Sequence, residues 1–119
     1  MPILVVIADP AYRELVRRLL EELGQPAMLV ASWREAIAEI TDPPTLIVAD
    51  LDDIGRSERG LEALERAGWG ENVPLIVMSY GNDFQQRADS LGAAAAFRKP
   101  LVIGKFMETI ARLAESAKS

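Results

Sequence analysis

The 119-residue sequence contains neither cysteine nor histidine. Without cysteine there are no disulfides and no thiol chemistry, and without histidine the usual imidazole catalysis and ordinary zinc sites are excluded as well. The apolar run from Ile3 to Ala8 is far too short to span a bilayer. Because no signal-peptide pattern surrounds that run, we expect a cytoplasmic protein with no membrane partner.

The charge balance excludes a second class of partner. Lysine and arginine number 13 against 18 acidic residues, which gives a formal net charge of −5. No basic cluster is long enough to form a phosphate-binding patch, so we expect no nucleic-acid partner. Hydrophobic residues make up 50% of the chain, which is enough for a packed core. The length predicts a single domain over residues 1–119.

Short apolar segments alternate with segments of helical periodicity along the chain. The predicted strands are Ile3 to Ala8, Ala27 to Ala31, Thr45 to Asp50, Leu75 to Ser79 and Ala93 to Phe97. The predicted helices are Pro10 to Leu23, a segment from a Ser32 cap to Ile40, Gly60 to Ala67, a segment from an Asn82 or Asp83 cap to Leu91, and Val102 to Ala117. Such alternation predicts an α/β domain whose sheet is parallel and has right-handed crossovers.

The strand that ends at Asp50 is the natural centre of a site. Five residues that favour burial run directly into this carboxylate, with Pro43-Pro44 before the strand and Asp52-Asp53 after it. A continuous apolar run of this kind is typical of a strand covered on both faces. In open α/β sheets, ligands bind outside the carboxyl ends of the strands. Asp50 is therefore the first candidate functional residue.

Four motifs, taken in this order, resemble the receiver domain of two-component response regulators. They are Ile3-Leu4-Val5-Val6 before an Asp-Pro helix start, Leu46-Ile47-Val48-Ala49-Asp50-Leu51 with Gly55 after it, Val73-Pro74-Leu75-Ile76-Val77-Met78-Ser79, and Leu91-Gly92-Ala93 leading to Lys99-Pro100. The resemblance runs almost from end to end. It implies a three-layer (βα)5 flavodoxin-like fold with a five-stranded parallel sheet of order 2-1-3-4-5.

The resemblance also implies roles for three residues. Asp50 matches the phosphoacceptor, Ser79 the hydroxyl that contacts the phosphoryl group, and Lys99 the ammonium that pairs with it. The bond between Lys99 and Pro100 lies where the family usually has a cis peptide. The resemblance places Asp50 opposite Lys99, and without the family's two other carboxylates we expect Asp50 to face Lys99 alone, in a buried ion pair that has Ser79 as a hydrogen-bond partner.

The sequence departs from the family pattern at the metal site. The two adjacent acidic residues that bind Mg²⁺ in the family are replaced by Ile7 and Ala8. Mg²⁺ prefers carboxylate oxygens, so we expect no cofactor. The alternative is a weak, rearranged magnesium site formed by Asp50, Asp52 and Asp9.

Two further departures concern residues around the site. Ala96 stands where the family has the aromatic residue of the fifth strand that reports phosphorylation, and Phe97 is expected to point to the other face. Tyr80 follows Ser79 where the family usually has a small residue, so a large ring is expected at the mouth of the site.

Two functions follow from these observations. The first is an atypical receiver, or pseudo-receiver, that binds a protein partner without phosphorylation and is not an enzyme. The alternative is a phosphoaspartate switch that a histidine kinase modifies at Asp50, with at most weak self-phosphorylation and dephosphorylation. A flavin or small-ligand site is disfavoured, because no phosphate-cradling loop rich in Gly, Ser and Thr follows the first strand.

The resemblance also implies where a partner binds. Receivers most often use the surface formed by their fourth helix, fifth strand and fifth helix, and the partner is a histidine kinase or a downstream effector. Here that surface corresponds to residues around Gln85 to Leu91, Ala94 to Arg98 and Lys105 to Arg112.

Overall fold

A computed structural model describes residues 2–39, 42–52 and 73–118. Within these ranges the strands are β1 (Ile3–Val6), β2 (Ala27–Val30), β3 (Leu46–Asp50), β4 (Leu75–Ser79) and β5 (Ala95–Arg98). The helices are α1 (Pro10–Glu22), α2 (Trp33–Glu39), α3 (Phe84–Ser90) and α4 (Ile103–Lys118). The predicted helix from Gly60 to Ala67, together with Asp53 and Gly55, lies outside the described residues.

The strands form one parallel sheet of order β2-β1-β3-β4-β5, which confirms the predicted flavodoxin-like topology. β3 occupies the centre of the sheet, and each of its residues is buried. The register aligns Val6 with Ala49, and Asp50 with Met78. All the carboxyl ends therefore meet at one edge, where the site lies.

The sheet has helices on both faces, so the domain has three layers. Because successive side chains of a strand point to opposite faces, the strands contribute to two separate cores. On one face the sheet packs against α1 and α4, with Val5, Ile7, Leu20 and Phe106 among the buried residues. On the other face it packs against α2 and α3. Both faces of the sheet are therefore covered by helices, as the uninterrupted apolar strands predict.

Local signals fix the ends of the first helix. The Asp9 side chain accepts a hydrogen bond from the backbone N–H of Ala11 at 2.9 Å, and Pro10 occupies the first turn. Both residues are typical of a helix start. Gly24 follows the helix with a φ of 67°, a left-handed conformation that a glycine adopts without strain. The same arrangement recurs at Gly92 after α3, where φ is 68°.

The predicted boundaries differ from the observed ones mainly at strand ends. β1 ends at Val6 rather than Ala8, and β5 covers Ala95–Arg98 rather than residues 93–97. The first difference arises because Ile7 and Ala8 are apolar but already belong to the loop that leads to α1. Among the described residues, no helix is both long enough and apolar enough to cross a membrane.

Candidate functional site

Three neighbouring strands bring the predicted site residues to the same edge of the sheet. Asp50 is the last residue of β3, Ser79 is the last of β4, and Lys99 directly follows β5. Asp50 and Ser79 are 0% exposed, and Lys99 is 4% exposed. The sheet register, which pairs Ser79 with Arg98, carries Lys99 back over the ends of β3 and β4. The structure thus brings these three predicted site residues to one edge of the sheet.

Asp50 and Lys99 form a buried ion pair. The Lys99 ammonium lies 2.6 Å from Oδ2 of Asp50, and Oδ1 of Asp50 accepts a hydrogen bond from the Asp52 N–H at 2.9 Å. Burial by itself lowers the pKa of Lys99, but the hydrogen bond and charge of Asp50, supported by Asp52, outweigh it and raise that pKa. Lys99 is therefore held in its charged form.

The expectation that Asp50 faces Lys99 alone is wrong, because Asp52 joins the pair. Oδ2 of Asp52 lies 3.2 Å from the Lys99 ammonium. The Ser79 hydroxyl donates to Oδ1 of Asp52 at 2.6 Å, and the Tyr80 N–H donates to Oδ2 at 2.6 Å. Burial raises the pKa of Asp52, but these three donors outweigh it, so that its pKa lies below the ordinary value. Sequence reasoning considered Asp52 only as a weak metal ligand.

Two tyrosine rings cover the ammonium on its remaining side. Nζ of Lys99 lies 4.4 Å from the centre of the Tyr80 ring and 4.9 Å from that of Tyr12, within cation–π range. The rings meet edge to face with their centres 6.3 Å apart, and the Tyr80 hydroxyl donates weakly to Tyr12 at 3.4 Å. The ring expected at the mouth of the site is thus in contact with Lys99.

Sequence reasoning did not place Tyr12 in this site. Its helical spacing with Leu15 and Val16 indicated correctly that it faces inward. That spacing carries no information about which end of the sheet the ring reaches. The signal available was its position near the start of α1, because the N-terminus of this helix follows the carboxyl end of β1.

The end of β1 carries a guanidinium instead of carboxylates. Arg13 Nη1 donates to the carbonyl oxygens of Ile7 at 3.0 Å and Ala8 at 3.3 Å. Ile7 is fully buried against the α1 and α4 face, and Ala8 is partly buried. Sequence reasoning also missed Arg13, because an arginine at helical spacing indicates only that it lies on the solvent-exposed face of the helix.

The described residues do not fit a magnesium ion as they are arranged. Mg²⁺ requires near-octahedral oxygen ligands at about 2.0 to 2.1 Å. The Asp9 side chain caps α1, and both oxygens of Asp52 already accept hydrogen bonds. The Asp50 oxygens are bound to Lys99 and the Asp52 N–H. Within residues 2–39, 42–52 and 73–118, no three acidic side chains are grouped so that they could hold a metal.

Comparisons with known proteins agree with the overall fold. No protein-family model and no curated protein matches the sequence, whereas solved structures match along nearly the whole chain. The response regulator receiver protein from Pseudoalteromonas atlantica superposes with a TM-score of 0.84 at 22% identity, covering 98% of this chain and 99% of that one. The receiver protein from Burkholderia phymatum gives 0.77 at 26% identity, with 97% and 96% covered. The fold is that of a response regulator receiver domain.

The receiver fold also forms part of longer proteins. NtrX from Brucella abortus matches with a TM-score of 0.82 at 25% identity, and the match covers 99% of this chain but 27% of NtrX. In full-length FixJ from B. japonicum the match covers 58% of that protein, at 21% identity and a TM-score of 0.76. Proteins of very different length thus contain a domain of this shape.

The fifth strand of this receiver fold agrees with the expected side-chain directions. Ala96 packs on the α2 and α3 face, and Phe97 packs on the opposite face, where its ring meets that of Phe106 edge to face at 5.4 Å. The Lys99-Pro100 peptide bond is cis, as the resemblance implies. Ala96, which matches the aromatic reporter of the family, offers no ring to the site.

Proposed function

We propose that this chain is an atypical receiver domain of two-component signalling that binds a protein partner without being phosphorylated. The observation that carries the proposal is the set of contacts made by the Lys99 ammonium. Its ammonium is shared between Asp50 and Asp52 and covered by Tyr80, so the cation that would meet an incoming phosphoryl group is already neutralised.

The charge balance of the site supports this proposal. A phosphoryl group on Asp50 would add roughly −1.5 to −2 charge at pH 7. Phosphoryl transfer depends on cations that neutralise this charge, usually a metal ion together with a lysine or arginine. Here Arg13 donates to the backbone carbonyls of Ile7 and Ala8, and Asp52 places a second carboxylate beside Asp50. Phosphorylation would therefore add negative charge beside Asp52, at a site where the Lys99 ammonium is already shared between two carboxylates.

The proposed partner is a protein, either a histidine kinase or a downstream effector. The surface formed by α3, β5 and α4, around Gln85 to Leu91, Ala94 to Arg98 and Lys105 to Arg112, is the candidate for binding. This choice of surface rests on the resemblance. The proposal includes a cytoplasmic location, no cofactor and no enzymatic activity.

An amide NMR titration of the 119-residue chain tests the proposal. Mg²⁺ is added first, and then Mg²⁺ with beryllofluoride, a stable mimic of the phosphoryl group. We expect no shifts at Asp50, Asp52, Ser79 or Lys99 at tens of millimolar metal. Saturable shifts centred on these residues, absent from Asp50→Asn, would overturn the phosphorylation-independent role.

A phosphoaspartate switch is the second candidate function. It is favoured by the convergence of Asp50, Ser79 and Lys99 at three adjacent strand ends, the arrangement that the resemblance implies for phosphoryl acceptance. This candidate predicts Mg²⁺-dependent mass addition at Asp50 when the chain is incubated with a small phosphodonor. Asp50→Asn is the matched control, since it keeps the shape of the side chain and removes the nucleophilic carboxylate.

A further inference from the structure

Four groups enclose the Lys99 ammonium, and together we call them the ammonium cage. They are the carboxylates of Asp50 and Asp52, with oxygens at 2.6 and 3.2 Å, and the rings of Tyr80 and Tyr12, centred at 4.4 and 4.9 Å. The Lys99 side chain is only 2% exposed. The cage therefore replaces nearly all the water that an ammonium group would otherwise bind.

The chemistry of the cage selects one kind of cation. An ammonium ion is attracted by carboxylates and also by the negative face of an aromatic ring. A ring face offers no lone pair, whereas Mg²⁺ is a hard ion that binds oxygen ligands and gives up its water reluctantly. Two carboxylates on one side and two rings on the other thus match an organic ammonium ion better than a divalent metal.

We propose that the ammonium cage is a binding site for primary alkylammonium ions, with Lys99 as its built-in occupant. When Lys99 is shortened to alanine, the vacated volume matches propylammonium, which replaces the three lost methylene carbons and the nitrogen. The site of Lys99→Ala takes up this ion and rejects Mg²⁺. The proposal rests on the geometry of the cage and is independent of any partner.

Tyr80 provides the route by which an external ion reaches the cage. Its side chain is 54% exposed, although its ring touches the buried ammonium, so one wall of the cage faces solvent. Its hydroxyl bond to Tyr12 is long, at 3.4 Å. A side chain so exposed and so weakly tethered can rotate without disturbing the core.

The test compares the thermal unfolding of native chain and Lys99→Ala in propylammonium chloride, sodium chloride and magnesium chloride at equal ionic strength. We expect propylammonium to raise the Tm of Lys99→Ala saturably, with no such effect on the native chain. Propan-1-ol, which has a similar shape without the charge, should leave the Tm of Lys99→Ala unchanged. Magnesium should act no differently from sodium.

Ring variants separate the cage from a general charge effect. In Lys99→Ala/Tyr80→Leu the apparent Kd for propylammonium should rise about fivefold, because one cation–π contact is lost. Lys99→Ala/Tyr80→Phe, which keeps the ring, should bind within about twofold of Lys99→Ala. A larger Tm rise with magnesium than with propylammonium, or equal binding by the leucine and phenylalanine variants, would overturn the proposal.

A measurement on the native lysine covers the case in which Lys99→Ala does not fold. The ε-carbon of Lys99 carries the ammonium nitrogen that lies 4.4 and 4.9 Å from two ring centres, so its protons should resonate upfield of ordinary lysine values in a carbon-correlated NMR spectrum. Tyr80→Phe should keep this ring-current shift, and Tyr80→Leu should reduce it. Ordinary shifts in the native chain would refute the cage itself. The beryllofluoride titration reports on phosphorylation and is read separately from these results.

Discussion

The guanidinium of Arg13 donates a hydrogen bond to the carbonyl oxygen of Ile7 across 3.0 Å. A fixed positive charge is thus bound to the carboxyl end of β1, at the position where the resemblance implies a pair of carboxylates. The two carbonyl groups that follow β1, those of Ile7 and Ala8, both accept hydrogen bonds from this guanidinium. The carbonyl oxygens after β1 therefore receive their hydrogen bonds from the protein itself.

Arg13→Met should lower the free energy of unfolding by about 1 to 2 kcal/mol. The methionine keeps most of the apolar stem, so the loss reports mainly the two carbonyl hydrogen bonds. Arg18→Met is the matched control on the same helix, since Arg18 is 73% exposed and its pair with Glu14 is long at 3.4 Å. We expect that control to stay within about 0.5 kcal/mol in urea unfolding. Equal losses in the two variants would contradict the role given to Arg13.

Restoring an acidic residue at position 7 or at position 8 should lower the free energy of unfolding by unequal amounts. Ile7→Asp removes a fully buried apolar side chain and places a carboxylate in the core, which should cost about 3 to 5 kcal/mol. Ala8→Asp changes a partly buried residue whose carbonyl contacts Arg13, so its effect should stay within about 1 kcal/mol. Urea unfolding of the two variants measures this difference. Similar losses would mean that Ile7 contributes less to packing than its burial indicates.

Removing the charge of Lys99 should be among the most destabilising changes at the site. Lys99→Met leaves the fully buried Asp50 carboxylate without its ammonium partner, and the expected loss is about 3 to 5 kcal/mol. Asp50→Asn should cost less, because Lys99 retains Asp52 at 3.2 Å.

A double-mutant cycle isolates the interaction between these two residues. Asp50→Asn/Lys99→Met should be more stable than the sum of the single losses predicts, since neither unpaired charge remains. Strict additivity of the two losses would show that the ion pair contributes no coupling energy.

Stability should fall in acid partly through Asp52. Its folded pKa is below the ordinary value, so between the folded pKa and the unfolded value of about 3.9 the unfolded chain binds more protons. The contribution is complete above about pH 5 and is lost as the pH falls through the folded pKa. Urea unfolding from pH 3 to about 6 should show a shallower acid limb for Asp52→Asn than for the native chain. An equally steep acid limb in Asp52→Asn would contradict this contribution of Asp52.

Tyr12 should ionise only in strong alkali. Burial, followed by the hydrogen bond and charge of Tyr80, raises the pKa of Tyr12 to about 12. The near-ultraviolet absorbance of tyrosinate follows this ionisation, and Tyr12→Phe should delete the step near pH 12. The folded pKa of Tyr12 exceeds the unfolded value of about 10. The free energy of unfolding should therefore fall as the pH rises from about 10 to 12. A single step near pH 10 would contradict the observed environment of Tyr12.

The sequence predicted the sheet well because its signals are local. Runs such as Ile3–Val6 and Leu46–Asp50 indicate buried parallel strands by composition alone, and Asp9, Pro10 and Gly24 mark the ends of α1. The strand order came from the family resemblance, since alternation of strand and helix is compatible with several orders. Convergence of Asp50, Ser79 and Lys99 then followed from their positions at strand ends.

The partners within the site could not be predicted in the same way. Whether Ser79 donates to Asp50 or Asp52 depends on side-chain rotamers, and the observed bond joins residues 27 positions apart. The contact between Tyr12 and Tyr80 spans 68 positions. Helical periodicity gives the face on which a residue lies and not the atom that it touches. The ammonium cage therefore became visible only in three dimensions.

Ala96 has a further consequence for communication across the domain. Alanine has no side-chain rotamers beyond its methyl group, and this methyl packs on the α2 and α3 face of β5. A side chain with a single conformation cannot change its rotamer when the neighbouring site changes state. A structural change at Asp50 would have to be transmitted along β5 by displacement of the main chain. The Ala96 side chain consequently cannot report such a change by switching its rotamer.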